Sequence, residues 1–173
     1  HQSNHQYEFK AEMKQLLHLI IDSLYTHPEV FLRELISISC DALNKVRFRK
    51  LTDSAILNPE AELKIDITVD EKTEMFSIED TGIGMNQEEL IANLGTIARS
   101  GAIEFIQKMQ QENKQFDSRL IGQFGVGFYS VFMVADEVIV ETRSAELDSK
   151  AYRWTSNGQE TFTIEEIEKV SRG

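Results

Sequence analysis

The sequence has few of the residues that mark disulfide-bonded, zinc-binding or membrane-spanning proteins. Its single cysteine, Cys40, has no second cysteine with which to form a disulfide. The four histidines are scattered near the N-terminus, and no Cys/His group has the spacing of a zinc site. No apolar run approaches the roughly 18 residues of a membrane span, and no secretory signal peptide is apparent. These absences indicate a reducing, cytoplasm-like compartment.

Basic residues and prolines are also scarce. The 173 residues include 18 Lys and Arg against 29 Asp and Glu, a formal net charge of −11. Because nucleic-acid phosphates require a surplus of basic side chains, this charge argues against nucleic acid as the main partner. Small anions stay open, since a nest of backbone N–H groups can hold a phosphate in an acidic protein. With only two prolines, long linkers are not expected, and the length suits one domain.

The early part of the chain predicts helices. Apolar residues recur at helical spacing over about 9–24 and 29–49, with a break at residues 26–28. Residues 1–8 are expected to be a disordered end that lies outside the fold. Shorter helical runs are expected over 87–98, 102–111 and 128–134.

The later part of the chain predicts strands in hairpins. Apolar and polar residues alternate over 63–69, and residues 76–78 supply the partner strand. Further strands are expected over 137–142, 151–155 and 161–164, the last two joined by a turn at Asn157-Gly158. This order predicts an α+β fold, in which helices pack on one face of a mainly antiparallel sheet.

A carboxylate followed by two glycines ends the first hairpin, at Asp80-Thr81-Gly82-Ile83-Gly84. Glycine allows a flat ligand to approach the backbone, and an ionised Asp80 can accept a hydrogen bond from the exocyclic amine of adenine. The same run also suits a turn that closes the hairpin, with Asp80 capping it. A calcium loop fits poorly, because the ladder of oxygen ligands is absent.

A second glycine-rich run, Gly122-Gln123-Phe124-Gly125-Val126-Gly127, leads into a predicted helix. Exposed N–H groups at a helix start favour phosphate oxygens, so the run is a candidate phosphate cradle. It lacks the Gly-Lys-Ser/Thr of a Walker loop and the surroundings of a Rossmann fingerprint. A flexible hinge is the alternative, and a hinge and a cradle are compatible.

One face of the second helix carries a mixed set of side chains: Glu34, Ile38, Asp41 and Lys45. Charges on a helix usually face solvent, but Ile38 among them favours the lining of a pocket. Glu34 can then serve as general base on a water molecule.

The run from Asn93 to Gly101 also carries polar groups between glycines. Asn93 can bond a phosphate or sugar, and Arg99 can reach a phosphate. A helix that simply ends at Gly101 is the alternative. The span from Gly95 to Gly127 has the composition of a closing lid.

Four ordered runs resemble the N-terminal nucleotide-binding domain of the ninety-kilodalton heat-shock chaperone family, and its bacterial HtpG branch or mitochondrial relative most closely. The runs are Phe31–Ser37, Asp80–Met85, Asn93–Ala98 and Ile121–Ser130. The resemblance covers nearly the whole chain from Phe9. It implies the Bergerat-type two-layer α/β sandwich of the wider ATPase superfamily, which includes gyrase B, MutL and histidine kinases. It also implies ATP or ADP as ligand, protein clients, and a homodimer in the full-length protein, with this portion monomeric.

The resemblance assigns roles to the candidate residues. Glu34 is expected to be the general base, and Asp80 to bind the adenine amine beside Gly84 and Met85. Asn93, followed by Leu94, is expected at the α-phosphate and sugar. Other expected contacts are Asp41 and Lys45 on the base side, and Gly125, Gly127 and Phe128 over the phosphates.

Two departures from the family pattern bear on the chemistry. Ile38 stands where the family has an asparagine that binds magnesium, and isoleucine offers no oxygen to a hard cation. We therefore expect no protein ligand for Mg²⁺, weakened nucleotide binding and strongly reduced hydrolysis, although water molecules could still hold the metal. The sequence given also stops before a threonine that assists adenine binding in the family. A histidine-kinase ATP-binding domain and a degenerate partner-binding domain are the alternatives.

Overall fold

The computed structural model describes residues 4–8, 11–24, 27–52, 55–95, 127–158 and 161–173. Its helices and strands follow in the order β1 (Asn4–Glu8), α1 (Ala11–Leu24), α2 (Val30–Thr52), β2 (Ile65–Asp70), β3 (Met75–Asp80), α3 (Gln87–Leu90), β4 (Val138–Arg143), β5 (Ala151–Ser156) and β6 (Thr161–Ile167). A π-helical turn at Ile91–Gly95 continues α3, and a 3₁₀ helix at Gly127–Met133 precedes β4.

Four strands form an antiparallel sheet in the order β1-β6-β5-β4. The predicted hairpin of β5 and β6 is present, with Ser156 opposite Phe162 and Ala151 opposite Ile167. The expectation that residues 1–8 lie outside the fold was wrong for Asn4–Glu8. These residues pair with β6, because a sheet edge offers free backbone groups to any extended segment, and Tyr7 stacks on Phe162.

The remaining strands, β2 and β3, form the predicted antiparallel hairpin as a separate two-stranded sheet. Ile67 lies opposite Ile78 and Val69 opposite Phe76, so apolar side chains share one face. Phe31 at the start of α2 packs edge-on against Phe76, which attaches the hairpin to the helix. Asp80 ends β3 and begins the loop that the sequence marked as a ligand site.

The main core lies between the helices and one face of the four-stranded sheet. Trp154 is fully buried and contacts the rings of Phe128, Phe132 and Phe162. The helices α1 and α2 supply Leu17, Ile20 and Val30 to the same cluster. A smaller cluster of Val46, Ile56 and Ala145 lies against Leu63 and Ile83. This arrangement confirms the α+β prediction, with helices on one face of an antiparallel sheet.

Two predicted helical runs differ in detail from the structure. The helix expected over 87–98 is α-helical only to Leu90, where it changes to the π-helical turn. Its start is well defined, because Asn86 and Glu89 form a reciprocal capping box. The run expected over 128–134 is a 3₁₀ helix. Among the described residues, none of the helices combines the length and apolar character that a bilayer crossing requires.

Candidate functional site

The first part of the site is the carboxylate of Glu34, which α2 buries against the 3₁₀ helix. A side chain on Gly127 would overlap the Glu34 carboxylate, so only glycine allows this approach. Arg33 Nη2 lies 3.4 Å from Glu34 Oε1, a contact too long to be a strong ion pair. The start of the 3₁₀ helix and the proposed base are therefore in direct contact, which the sequence did not predict.

Ile38 lies one turn further along the same face of α2. Its side chain is 43% exposed, and it contributes no oxygen to the space beside Glu34. Among the described residues, no group of three or more His, Cys, Asp or Glu could hold a metal ion. The Ile38 side chain is a hydrocarbon, and the expectation that this turn supplies no protein ligand for Mg²⁺ stays a prediction.

Asp41 and Lys45 continue this face and are both exposed. They line an open depression with a volume of about 540 Å³. The rest of its lining is Asn44, Phe48, Arg49 and Ile83, none of which the sequence singled out as a ligand contact. Asn44, Phe48 and Arg49 lie on α2 at helical spacing from Asp41 and Lys45, and this spacing is the signal that could have identified them. Glu34 and Asp80 do not line this depression.

The loop after β3 lies directly on α2. Asp80 Oδ1 accepts a hydrogen bond from the Gly82 N–H at 2.9 Å, which folds the carboxylate back over the loop. The Ile83 N–H donates to the Ala42 carbonyl at 3.1 Å, so the loop is bonded to the middle of the helix. Asp80 therefore lies near Ala42, two turns after Glu34 along α2.

Strand β4 holds the other side of this loop. The Ala145 N–H donates to the Ile83 carbonyl at 2.9 Å, and the Met85 N–H donates to Thr142 Oγ1 at 2.9 Å. Gly84 has a φ of 63°, and a side chain there would overlap the Arg143 carbonyl. The loop is thus held between α2 and the end of β4 from Ile83 to Met85.

The residues Arg172 and Gly173 pack against the loop after β3 and the segments around it. The N–H and carbonyl of Gly173 exchange hydrogen bonds with Arg143 at 3.0 and 2.9 Å, and Gly173 packs on the Asp80 carbonyl. Arg172 is buried, and its Nη1 donates to the Leu57 carbonyl at 2.9 Å. Sequence reasoning missed both contacts, since nothing in the pattern of this segment marks it as a neighbour of Asp80.

Asn93 lies in the π-helical turn and reaches the loop from the other side. Its Nδ2 lies 3.8 Å from Met85 Sδ, so two predicted ligand residues contact one another. The Tyr129 hydroxyl donates to the Asn93 carbonyl at 3.1 Å. Burial raises the pKa of the Tyr129 phenol above its ordinary value, so the hydroxyl remains a donor.

Several predicted site residues have a different setting. Leu94 is buried in the main core, and Phe128 packs edge-on against Trp154 and Tyr129. The described part of the chain does not include Arg99, Gly122, Gln123, Phe124, Gly125 and Val126, nor the predicted lid between Gly95 and Gly127. The structure thus brings together Glu34 with Gly127, and Asp80 with Gly84, Met85 and Asn93.

Comparison with known proteins adds independent information. Residues 25–171 match the family described as "Histidine kinase-, DNA gyrase B-, and HSP90-like ATPase". Proteins named chaperone protein HtpG are similar over most of this chain. The one from Chlorobium phaeobacteroides is 62% identical over 97% of this chain and 27% of its own length. The one from Chlorobaculum tepidum is 58% identical over 97% and 27%, and the one from Vibrio vulnificus 52% over 95% and 26%. The chain therefore spans about a quarter of the length of these relatives.

Proposed function

Because this chain belongs to the histidine kinase-, DNA gyrase B- and HSP90-like ATPase family, we propose that it binds ATP and ADP as the nucleotide-binding domain of a molecular chaperone. The observation that carries the proposal is the loop from Asp80 to Met85, bonded to α2 on one side and to β4 on the other. The names of the similar proteins support the chaperone role. The full-length protein is then an ATP-dependent homodimer that assists protein folding under stress, in the bacterial cytoplasm.

The base side of the proposed site is the loop after β3. An Asp80 carboxylate that already accepts one backbone N–H has further lone pairs with which to accept the adenine amine. Gly84 and Met85 are proposed to lie beside the base, and Asn93 at the sugar and α-phosphate. Asp41 and Lys45 contribute polar contacts at the exposed end of the face.

The phosphate side is proposed to lie along the first half of α2. Here Glu34 takes the proton of a water molecule that attacks the terminal phosphorus of ATP, and the bond to the β-phosphate oxygen breaks to release ADP. The glycine-rich segment from Gly122 to Gly127, with Phe128, is proposed to cover the phosphates. A buried carboxylate in contact with Gly127 supports this placement of the base.

The second part of the proposal concerns magnesium. An exposed Ile38 offers no oxygen where a cation bound to the phosphates would need one. Nucleotide binding is then weaker and largely independent of Mg²⁺, and hydrolysis is strongly reduced. Ile38 is also the observation that favours a second candidate function, a degenerate domain kept for binding protein partners.

Calorimetric titration with ADP, with and without Mg²⁺, tests both parts. The chain should bind ADP with an affinity that Mg²⁺ changes little, and Ile38→Asn should gain about tenfold in affinity when Mg²⁺ is added. Cys40→Asn is the matched control, since it adds the same amide two residues along α2, on a different face. Asp80→Asn should lower ADP affinity by about 30-fold, because an amide N–H₂ replaces an acceptor.

The outcomes separate the two candidates. Equal Mg²⁺ enhancement in the unchanged chain and in Ile38→Asn would refute the metal argument while leaving the nucleotide site intact. If neither form bound ADP, the partner-binding function would replace the proposed one.

A further inference from the structure

Two buried hydroxyl groups bond to residues of the proposed nucleotide site. Thr142 is 2% exposed, and its Oγ1 accepts a hydrogen bond from the Met85 N–H at 2.9 Å. Tyr129 is also 2% exposed, and its hydroxyl donates to the Asn93 carbonyl at 3.1 Å. Neither hydroxyl can reach a ligand from the core, so each can act on a nucleotide only through its partner.

The two partners also contact each other. Asn93 Nδ2 lies 3.8 Å from Met85 Sδ, which joins the hydrogen bonds into one chain from Tyr129 to Thr142. This chain connects the 3₁₀ helix, the π-helical turn, the loop after β3 and strand β4. The positions of Asn93 and Met85 therefore depend on their own stretch of sequence and on two distant ones, the 3₁₀ helix and β4.

The local backbone makes such support necessary on the Asn93 side. The turn at Ile91–Gly95 is π-helical, a form that is rare, occurs mostly as single turns and is frequent at functional sites. A donor from outside the turn fixes the carbonyl of its central residue, Asn93. Without that donor, the Asn93 backbone is free to shift. The side-chain amide that it carries is then no longer held in one position relative to a ligand.

We propose that Tyr129 and Thr142 are positioning residues of the nucleotide site, Tyr129 for the phosphate side through Asn93 and Thr142 for the base side through Met85. This inference rests on the proposed function. It divides nucleotide recognition between two buried hydroxyls that act on different parts of the ligand, and this division can be measured separately from stability.

The test compares ADP with adenosine, which has the base and sugar but no phosphate. Tyr129→Phe and Thr142→Val each remove one hydroxyl with little change in shape. Tyr129→Phe should lower ADP affinity about fivefold and adenosine affinity clearly less, because adenosine keeps only the sugar contact of Asn93. Thr142→Val should lower the affinities for ADP and adenosine alike, by about fivefold. Matched controls are Tyr152→Phe and Thr155→Val on β5, which should change neither affinity.

A double-mutant cycle tests whether Tyr129 acts through Asn93. In the Asn93→Ala background, Tyr129→Phe should cause no further loss of ADP affinity. Equal losses for ADP and adenosine in Tyr129→Phe, or additive losses in the cycle, would overturn the inference. If the unchanged chain bound neither ligand, the proposed function itself would fail. If the unchanged chain bound both ligands and Tyr129→Phe bound each of them with the same affinity as the unchanged chain, only the positioning role would fail.

Discussion

The two halves of the α2 face are built in different ways. Around Ala42, the loop that carries Asp80 is held by backbone hydrogen bonds to α2 and to Ala145 after β4, and by a bond from Met85 to the Thr142 hydroxyl. Around Glu34, the described contacts are one steric approach by Gly127 and a long contact to Arg33. The base side is therefore supported by several independent bonds, whereas the phosphate side depends on the shape of a few residues.

This difference indicates which function survives sequence change. A loop that is held partly by main-chain bonds tolerates many side-chain changes without collapse, because main-chain groups do not depend on residue identity. A catalytic site needs particular atoms at particular places, so one substitution can disable it, and we propose this effect for Ile38 at the metal. Binding of the base should thus be retained more easily than hydrolysis.

The largest effect on the difference between the base side and the phosphate side is expected from a change at Gly84, on the base side. In Gly84→Ala, the positive φ is strained and the new methyl overlaps the Arg143 carbonyl, so the loop must leave β4. ADP affinity should fall about 100-fold and the free energy of unfolding by about 2–4 kcal/mol. Calorimetry and thermal unfolding measure the two quantities.

Gly158→Ala is the matched control for Gly84→Ala. Gly158 also has a positive φ, 77°, but its neighbour is the side chain of Phe132, and it lies in the turn after β5. This variant should lose stability and keep its affinity for ADP. The comparison fails if the two variants lose ADP affinity to the same extent.

A smaller effect is expected from Gly127 on the phosphate side. The methyl of Gly127→Ala would overlap both the carboxylate and the Cβ of Glu34, so the start of the 3₁₀ helix and α2 must move apart locally. Turnover of ATP should fall about 30-fold, while ADP affinity should fall only about threefold, because the same segment is also proposed to cover the phosphates. Because the unchanged chain is expected to hydrolyse ATP slowly, turnover is measured in the Ile38→Asn background. A large loss of ADP affinity would show that the phosphate side also determines binding.

The smallest expected effect concerns alkaline pH. Burial raises the pKa of Tyr129 above its ordinary value of 10.0, so the unfolded chain releases this proton at lower pH than the folded chain does. The contribution of Tyr129 to stability is therefore complete below about pH 10 and decreases as the pH rises further, by up to about 1.4 kcal/mol per pH unit. Denaturant titrations between pH 9 and about 11 measure this slope.

Tyr129→Phe should flatten the alkaline decline relative to Tyr152→Phe, since phenylalanine has no proton to lose. An unchanged slope in Tyr129→Phe would contradict the burial of the Tyr129 phenol. The same variant is used in the positioning test, so one protein provides both the pH dependence of stability and the affinity for ADP.

Local pattern was sufficient for several features of the site. The spacing of apolar residues predicts α2 and both hairpins, because amphipathic helices and strands repeat with fixed periods. The carboxylate and paired glycines predict the loop at Asp80, and the structure places this loop on α2 through Ile83 and Ala42. These features depend on residues close in sequence, which is why the sequence predicts them.

Other features depend on residues far apart in the chain. The bond from Met85 to Thr142 spans 57 residues and that from Tyr129 to Asn93 spans 36, and no local pattern announces either. The pairing of β1 with β6 joins the two ends of the sequence, which is why residues 4–8 were assigned to a disordered end. The change from α- to π-helix at Ile91 likewise had no signal in the periodicity.

The sequence by itself supplied the predicted ligand chemistry. It consists of the Asp80 carboxylate, the glycines at which a ligand is expected to approach, Glu34 as the proposed base, and Ile38, which has no oxygen. These are properties of side chains and need no fold to be stated. Only the tertiary structure decided which groups meet: Gly127 with Glu34, Met85 with Thr142, and Gly173 with Arg143. The physical reason is that burial and hydrogen bonding between distant segments are set by how helices and sheet pack together, which no short stretch of sequence specifies.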